Sequence, residues 1–408
     1  MTFTREADRL LPDLIALRRR LHSTPEVGLE LPSTRATVLD ALEGLGLEVT
    51  LGTALSSVTA VLHGGAPGDT VLLRADMDAL PITEETGLDF ASANGAMHAC
   101  GHDLHMAGLV GAARLLAARR EALSGAVVFM FQPGEEGHDG ARKMLGESLL
   151  DAAGDRPVAA YALHVDCTRP AGRFATRAGA VMASASGMRL VVSGDGGHAA
   201  WPHLGIDPVP VAAEIVLALQ SFTARRVPAT DPAIVSVVRI DGDSAAVNVI
   251  PARVEIDVNI RTLSSTTLDF VRVELPALAS AIGHAHGCVV DAEFIDSYPV
   301  TNNDEHETEL VLRALADLYG PSAVTRMAAP SMASEDFAYV LDEVPGTLAF
   351  LGARVEGPGA PAAMHSAGAL FDEAVMARQA ATLAELAWRR TAHGTVRSTV
   401  ARSGAAVP

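Results

Sequence analysis

The chain has 408 residues, of which 49% are hydrophobic and 20% are charged, and its formal net charge is −18. This length is enough for two domains, and this balance is typical of a globular protein. The negative charge argues against nucleic acid and anionic membranes as partners, because both attract positive surfaces. No apolar run is long enough to span a bilayer, and the charged N-terminal stretch differs from a secretory signal. We therefore expect a cytoplasmic protein.

The first part of the sequence alternates helix-like and strand-like stretches. The predicted helices are 5–22, 33–45 and about 104–120, and the predicted strands are 58–63, 70–74, 126–131 and 158–163. Asp103 is a plausible N-cap for the third helix. The last two strands are continuously apolar, as in strands that are buried on both faces of a sheet. Strands alternating with helices predict an α/β domain.

The middle of the sequence follows a different order, βαββαβ, which is that of a split βαβ sandwich. The strands are predicted at 188–193, 234–240, 254–261 and 289–294, and the helices at 207–222 and 267–284. We place this inserted domain at 185–296, between the two parts of a catalytic domain at 1–184 and 297–408. Helix–strand alternation then resumes, with a strand at 347–351, and the small residues of 394–408 are compatible with a disordered tail.

Reactive side chains follow three of the predicted buried strands. Asp76 and Asp78 come after the strand at 70–74, Glu135 and Glu136 come after 126–131, and His164 follows 158–163 directly. Ligands of open α/β sheets bind outside the carboxyl ends of the strands. We therefore expect these side chains to converge on one crevice.

The segment His98-Ala-Cys100-Gly-His102-Asp103 adds a thiol and imidazoles. Cys100 and His102 are two residues apart, so one helix face cannot present both, whereas an extended turn at Gly101 can. Thiolate, imidazole and carboxylate together suit zinc or a similar divalent ion, and so many donors suit two ions. One glutamate of the Glu135–Glu136 pair could be a ligand while the other acts as a base.

Taken singly, each of these residues has an ordinary alternative role. A cysteine in an apolar protein is more often a packing residue than a ligand, and we assign Cys167 and Cys288 to packing. His98 and His105 flank the turn and could support a ligand, but their spacing leaves this open. The sequence contains no phosphate-binding loop ending in Lys-Ser/Thr, no Gly-x-Ser-x-Gly elbow and no His-Glu-x-x-His helix. The joint placement at strand ends therefore favours a metal site.

These residues resemble the aminoacylase/carboxypeptidase superfamily of di-metal amidohydrolases, and most of all its branch of hippurate hydrolases and indole-acetyl-amino-acid hydrolases. Segment 97–103, Met-His-Ala-Cys-Gly-His-Asp, is the most specific match. The matching segments run in the family order over nearly the whole chain: 19–22 with 25–26, 73–81, 97–103, 132–137, 163–165, 196–200, 248–251, 334–337 and 364–366.

The resemblance implies a mixed-sheet catalytic domain with an inserted domain that forms a dimer, a tetramer also being possible. It implies two divalent ions, and the thiolate favours zinc while the family admits manganese, cobalt or nickel. The implied metal ligands are Cys100, which would bridge the ions, and His102, Glu136, His164 and His365.

The resemblance also implies roles around the metals. Glu135 would be the general base and later the acid that protonates the leaving amine. His198 would hold the developing oxyanion, often in the partner's active site, while Asn248 and Arg261 would bind substrate. The wider superfamily has His-x-Asp where this chain has Arg74-Ala-Asp76. Asp76 is therefore expected to support a ligand, such as His102, rather than to bind metal itself.

The function expected from this resemblance is metal-dependent hydrolysis of the amide bond of N-acyl amino acids. A dipeptidase or carboxypeptidase is the alternative enzyme, because a peptide bond is also an amide. A metal-binding protein without catalysis is a third possibility. The presence of Glu135 beside Glu136 argues against the third possibility, because a binding protein needs ligands and not a base.

Overall fold

The computed structural model describes residues 3–244, 246–357 and 362–392, so the predicted tail at 394–408 lies outside the described residues. The described residues form two compact units. Unit 1 falls within Met1–Val181, Asn302–Ala329 and Asp336–Pro408, and unit 2 within Met182–Thr301 and Pro330–Glu335. The predicted insertion, 185–296, lies within Met182–Thr301. The short segment Pro330–Glu335, which the sequence analysis placed in the other domain, clusters with unit 2.

The helices begin and end close to the predicted positions. The helices of the described residues are α1 (Thr4–His22), α2 (Pro32–Leu42), α3 (His102–Ala117), α4 (Gly140–Gly146), α5 (Pro208–Arg226), α6 (Ser265–Ala285), α7 (Glu305–Tyr319), α8 (Ala338–Glu343) and α9 (Val375–Ala392). None of the helices among these residues is long and apolar enough to cross a bilayer.

The strands include every predicted one and several short ones that the sequence analysis did not predict. They are β1 (Glu48–Leu51), β2 (Val58–His63), β3 (Ala66–Asp76), β4 (Ser124–Gln132), β5 (Ala159–Pro170), β6 (Phe174–Thr176), β7 (Gly179–Met182), β8 (Ser186–Ser193), β9 (Gly197–His198), β10 (Ala233–Gly242), β11 (Val249–Ile250), β12 (Arg253–Thr262), β13 (Val289–Asp296), β14 (Thr301–Asn303), β15 (Val324–Arg326) and β16 (Gly346–Arg354). β7 pairs with β14.

Unit 1 is built on an eight-stranded mixed sheet of order β1-β2-β4-β3-β5-β16-β6-β15. Its centre, β4-β3-β5-β16, is parallel, and β2 joins it antiparallel. The central strands are buried along most of their length, which explains their continuous apolar runs. Helices α1, α3 and α9 pack together in the same core. The predicted α/β class with a mixed sheet is confirmed.

Two local predictions near the reactive residues are wrong. Asp103 is not the N-cap of α3: the helix begins at His102, and Gly101, at φ 83°, is its N-cap. The strand predicted to end before His164 continues through it to Pro170, because β16 keeps pairing with β5 beyond that point. His164 therefore lies within the strand, and β16 pairs with β5 both before and after this residue.

Unit 2 contains a four-stranded antiparallel sheet of order β10-β12-β8-β13. Helices α5 and α6 pack on it and enclose the core of the unit. Buried and partly exposed residues alternate along β12, as expected of a strand with one covered face. The predicted βαββαβ order is confirmed. A small ribbon of β9 and β11 is added to it, with His198 opposite Val249.

Candidate metal centre

The predicted ligands of unit 1 lie together beside the parallel centre of its sheet. We call Cys100, His102, Glu136, His164 and His365 the donor cluster. The Cys100, His102 and His164 donor atoms lie within 4.8 Å of one another, and so do those of Cys100, Glu136 and His365. Cys100 belongs to both groups, which is the position that a bridging thiolate requires.

Donor atoms of residues far apart in the sequence lie within 3.5 Å of one another in the donor cluster. His365 Nε2 lies 3.2 Å from Cys100 Sγ and 3.1 Å from Glu136 Oε1, and His164 Nε2 lies 3.5 Å from Cys100 Sγ. Within the described part of the chain, His102 Nε2 is buried without a hydrogen-bond partner. Buried polar atoms are almost always paired. A buried ring nitrogen without a partner, close to a thiol, further imidazoles and a carboxylate, is what a site for divalent metal ions would contain.

Main-chain carbonyl groups orient two of the imidazoles. His102 Nδ1 lies 2.8 Å from the carbonyl oxygen of Asp78, and His164 Nδ1 lies 2.7 Å from that of Val165. A carbonyl oxygen only accepts, so each Nδ1 carries the proton. Each Nε2 is then left with a lone pair for a metal, which is the usual arrangement behind a ligating histidine.

Asp78 was expected near the crevice, but the sequence analysis assigned it no role. Its two carboxylate oxygens accept the main-chain N–H groups of Glu135 and Glu136, each at 3.0 Å, and its carbonyl oxygen orients His102. One residue thus fixes both glutamates and one imidazole. The only sequence signal was its position two residues after Asp76, beyond the end of a buried strand.

Asp76 lies behind the donor cluster and supports it differently from the role predicted. Its Oδ1 lies 2.5 Å from His105 Nδ1, and Arg74 donates to its Oδ2 at 2.6 Å. His105 Nε2 in turn accepts the N–H of Val165 at 2.8 Å, next to His164. Both ring nitrogens of His105 are therefore used. Asp76 Oδ2 is 3.5 Å from His102 Nε2, while Asp78 performs the orienting role suggested for Asp76.

The buried carboxylates of the site attract positive charge. Burial raises the pKa of Asp76, but Arg74 and His102 outweigh it and hold the pKa well below its usual range. Burial lowers the pKa of His102, yet Asp76 and Asp78 bring it to about 10. Burial also lowers the pKa of His105, to about 4, so that this ring is neutral. The carboxylates that raise the pKa of His102 would equally attract a metal cation bound at the donor cluster.

His365 reaches the cluster from a loop with an unusual backbone. Its φ is 61°, a left-handed value that is uncommon for residues other than glycine, and its N–H donates to the carbonyl oxygen of Ala99 at 3.1 Å. Such conformations persist where the surroundings fix them, and they are frequent at functional sites. No feature of the local sequence predicts this residue; only the family resemblance identified it.

A buried polar network anchors the strand ends that carry the site. Arg74 Nε donates to Gln132 Oε1 at 2.9 Å, and Gln132 Nε2 donates to Asp336 Oδ1 at 2.7 Å. Asp336 also accepts from Arg74 and from the N–H of Ala141. This network explains why the segments at 73–81, 132–137 and 334–337 contain polar residues in the core.

The other predicted residues, His198, Asn248 and Arg261, lie in unit 2. The N–H of Ala200 donates to His198 Nδ1 at 3.1 Å, so the proton of a neutral ring is on Nε2. The carbonyl oxygen of Asn248 accepts the N–H of Ala199 at 3.0 Å, which fixes the ribbon beside His198. Arg261, on β12, donates to Asn259 and to Ser334 at 3.2 and 2.8 Å.

Comparisons with known proteins identify the family of the chain. Residues 72–389 match Peptidase family M20/M25/M40. The chain is 35% identical over 368 residues to Thermostable carboxypeptidase 1 of Saccharolobus solfataricus, with 89% of this chain and 91% of that protein covered. It is 36% identical over 377 residues to IAA-amino acid hydrolase ILR1-like 2 of Arabidopsis thaliana, with 92% and 84% covered.

A solved structure with the same fold is described as binding two metal ions, a number that the donor cluster could also hold. Bacillus subtilis YXEP protein, described as a dinuclear metal binding peptidase from the M20 family, matches with a TM-score of 0.81 and 30% identity. The match covers 94% of this chain and 99% of that one. The clusters of unit 1 suit two divalent ions in the same way. The chain therefore belongs to peptidase family M20/M25/M40 and is a metal-dependent hydrolase of amide bonds.

Proposed function

We propose that the protein hydrolyses the amide bond of N-acyl amino acids at the donor cluster. The observation that carries this proposal is the position of Glu135, which is buried and has a carboxylate oxygen within 4.8 Å of the donor atoms of His102 and Glu136. A base must lie within reach of the proton that it removes. A chain that only bound metal would need the ligands and not this further carboxylate.

In the proposed reaction, two divalent ions would be held by Cys100, His102, Glu136, His164 and His365. Ions bound there would polarise a carbonyl group and lower the pKa of a water molecule to about 7. Glu135 removes a proton from the attacking water and later delivers it to the leaving nitrogen, as the carbon–nitrogen bond breaks. Asp78 keeps Glu135 and Glu136 in their separate positions through their main-chain N–H groups.

Unit 2 supplies the remaining groups in this proposal. His198 donates its Nε2–H to the carbonyl oxygen as negative charge develops on it. The hydrogen bond from Ala200 to Nδ1 supports this role, because it leaves the donor on Nε2. Arg261 binds the carboxylate of the amino acid, for which a guanidinium is suited, and Asn248 contributes a further contact with substrate.

The experiment that tests this function is a measurement of amine release. Chelator-treated protein is assayed on N-acetyl, N-benzoyl and indole-acetyl amino acids and on dipeptides, with and without added Zn²⁺ or Mn²⁺. We expect metal-restored release from the N-acyl amino acids. Release from dipeptides alone would favour the peptidase function, for which the relationship to a carboxypeptidase is the supporting observation. No release from any substrate by protein that holds two ions would reject the proposal.

The identity of the metal is part of the proposal. The thiolate of Cys100 favours zinc over harder ions, while the carboxylate and imidazoles also accept manganese, cobalt or nickel. We propose zinc or manganese. A cytoplasmic location is also proposed, since Cys100, Cys167 and Cys288 are buried and form no disulfide with one another, as expected in a reducing compartment.

We propose further that unit 2 forms a homodimer through the exposed edge of its sheet. β10 lies at one edge of that sheet, and its Ile234, Val238 and Ile240 are exposed. An apolar edge strand pairs readily with another strand unless something covers it. A dimer covers it without a further protein, and two such dimers could form a tetramer.

A further inference from the structure

His22 lies buried between two carboxylates that belong to different segments of unit 1. It is the last residue of α1 and is 1% exposed. Its Nδ1 is 2.7 Å from Asp103 Oδ2, and its Nε2 is 3.1 Å from Glu84 Oε1. Both distances are those of hydrogen bonds, and the carboxylates can only accept. The proposed reaction uses none of these three residues.

On one side, His22 holds the turn that carries two donor residues. Asp103 follows His102 directly and lies three residues after Cys100. Arg18 forms an ion pair with the same oxygen, its Nε lying 2.7 Å from Oδ2, so two residues of α1 hold the first turn of α3. The N-cap of α3 is Gly101, which has no side chain to fix this turn. The contacts of Asp103 with α1 fix the turn instead.

On the other side, His22 holds the loop that supports His365. Glu84 Oε2 accepts the N–H of Ser92 at 2.7 Å, which closes the loop on itself. The N–H of the next residue, Glu85, donates to the carbonyl oxygen of Ala367 at 2.8 Å, two residues after His365. The position of Glu84 therefore affects where the His365 segment lies.

We propose that His22 is a positioning residue of the metal centre, tying the turn that bears Cys100 and His102 to the loop that supports His365. This proposal rests on the proposed assignment of those residues as metal ligands. Without the ring, Asp103 and Glu84 would face each other as buried carboxylates, with no hydrogen bond between them and mutual repulsion. The position of one segment relative to the other would be less well fixed, although Arg18 would still pair with Asp103, and metal binding by donors from both segments would weaken.

The test compares Co²⁺ binding by the full chain and three variants. His22→Ala removes the ring, and Glu84→Gln keeps the shape while it replaces an acceptor and a charge. His63→Ala is the control, because His63 is exposed on β2, outside the donor cluster, and pairs with Glu48. The measurements are the absorption of the Cys100 thiolate–Co²⁺ complex, the rate of Co²⁺ transfer to a chelator, kcat and KM, and the unfolding temperature of the metal-free protein.

We expect His22→Ala and Glu84→Gln to bind Co²⁺ about 10–100-fold more weakly, as when other groups behind metal ligands are removed. The thiolate absorption should shift and kcat should fall with little change in KM, whereas His63→Ala should match the wild type. If His22→Ala does not fold, Glu84→Gln decides. Variants that only unfold at lower temperature, with unchanged Co²⁺ affinity and absorption, would overturn the proposal. A wild-type protein that binds no Co²⁺ would instead reject the proposed function itself.

Discussion

Asp78 accepts the main-chain N–H of Glu135 at 3.0 Å and so fixes the proposed base through its backbone rather than its side chain. The same carboxylate fixes Glu136 at the same distance. Both hydrogen bonds act on the main chain, so they hold the proposed base and the neighbouring ligand in position relative to Asp78.

Replacement of Asp78 by Asn should therefore impair catalysis although the residue contacts neither substrate nor metal. One carboxylate oxygen becomes an NH₂ group that faces a main-chain N–H, which removes one of the two hydrogen bonds. We expect kcat to fall about 10–100-fold with both metals still bound. Steady-state kinetics and metal content check this, with the exposed Asp155→Asn as control. Unchanged kcat would show that the two N–H groups need no acceptor.

Glu135→Gln should separate metal binding from turnover. The amide keeps the size of the side chain but cannot take a proton, so kcat should fall about 10²–10⁴-fold. The metal content should match that of the wild type, because the donor cluster is unchanged. Glu136→Gln is the paired comparison and should lose metal as well as activity. If the two variants behaved alike, the roles assigned to the neighbouring glutamates would be wrong.

Cys100→Ser should lose metal from both positions, whereas His365→Ala should lose it from one. Cys100 is common to the two groups of donors, and His365 belongs to only one of them. The expected result is a metal content near zero for Cys100→Ser and near one ion per chain for His365→Ala, measured after dialysis by elemental analysis. Equal losses in both variants would contradict the bridging role of the thiolate.

Ile240→Lys should convert the proposed dimer to a monomer. A lysine on an edge strand discourages pairing with another strand, and Ile240 of β10 is 56% exposed. Val289→Lys is the matched control, since Val289 is exposed on β13 at the opposite edge of the same sheet. Molar mass by light scattering gives the oligomeric state. A monomer caused by Val289→Lys alone would move the interface to β13.

Glu147 should stabilise the fold at pH values above the pKa that it has in the unfolded chain, and this contribution should be lost in acid. Burial raises its pKa, but hydrogen bonds from Thr53 and from the N–H of Ala54 outweigh it, so the pKa lies below the ordinary 4.5. A carboxylate with a depressed folded pKa stabilises above the unfolded pKa, and this is lost as pH falls through the folded value. The difference in unfolding temperature between wild type and Glu147→Gln should therefore shrink on acidification. Glu43→Gln, at an exposed site, should show no such trend.

The sequence predicts the fold well where a residue's neighbours along the chain determine its state. The apolar runs of β4 and β5 and the spacing of α5 and α6 are signals of this kind, and the structure confirms them. The Asp103 N-cap was wrong because Asp103 forms a long-range pair with α1, which overrides a local capping preference.

The site is predictable only in part for the same reason. Strand ends indicate Asp76, Glu135 and Glu136, since parallel strands bring their ends to one edge. His365, on a loop, and His22, at the end of a helix, reach the site through tertiary contacts that no local pattern encodes. Asp78 and His105 act through hydrogen bonds to the backbone, and a sequence does not show where those bonds are made.

The placement of β16 has a consequence for biosynthesis. This strand lies between β5 and β6 in the sheet, and His365 comes after it, 265 residues beyond Cys100. At roughly 5–20 residues per second, a ribosome needs on the order of 10–50 s to pass from one of these residues to the other. During that interval the thiol of Cys100 has no complete set of partners and the sheet has a gap at its centre. On the proposed assignment, the group of Cys100, Glu136 and His365 is therefore complete only after release of nearly the whole chain, whereas the group of Cys100, His102 and His164 can form earlier.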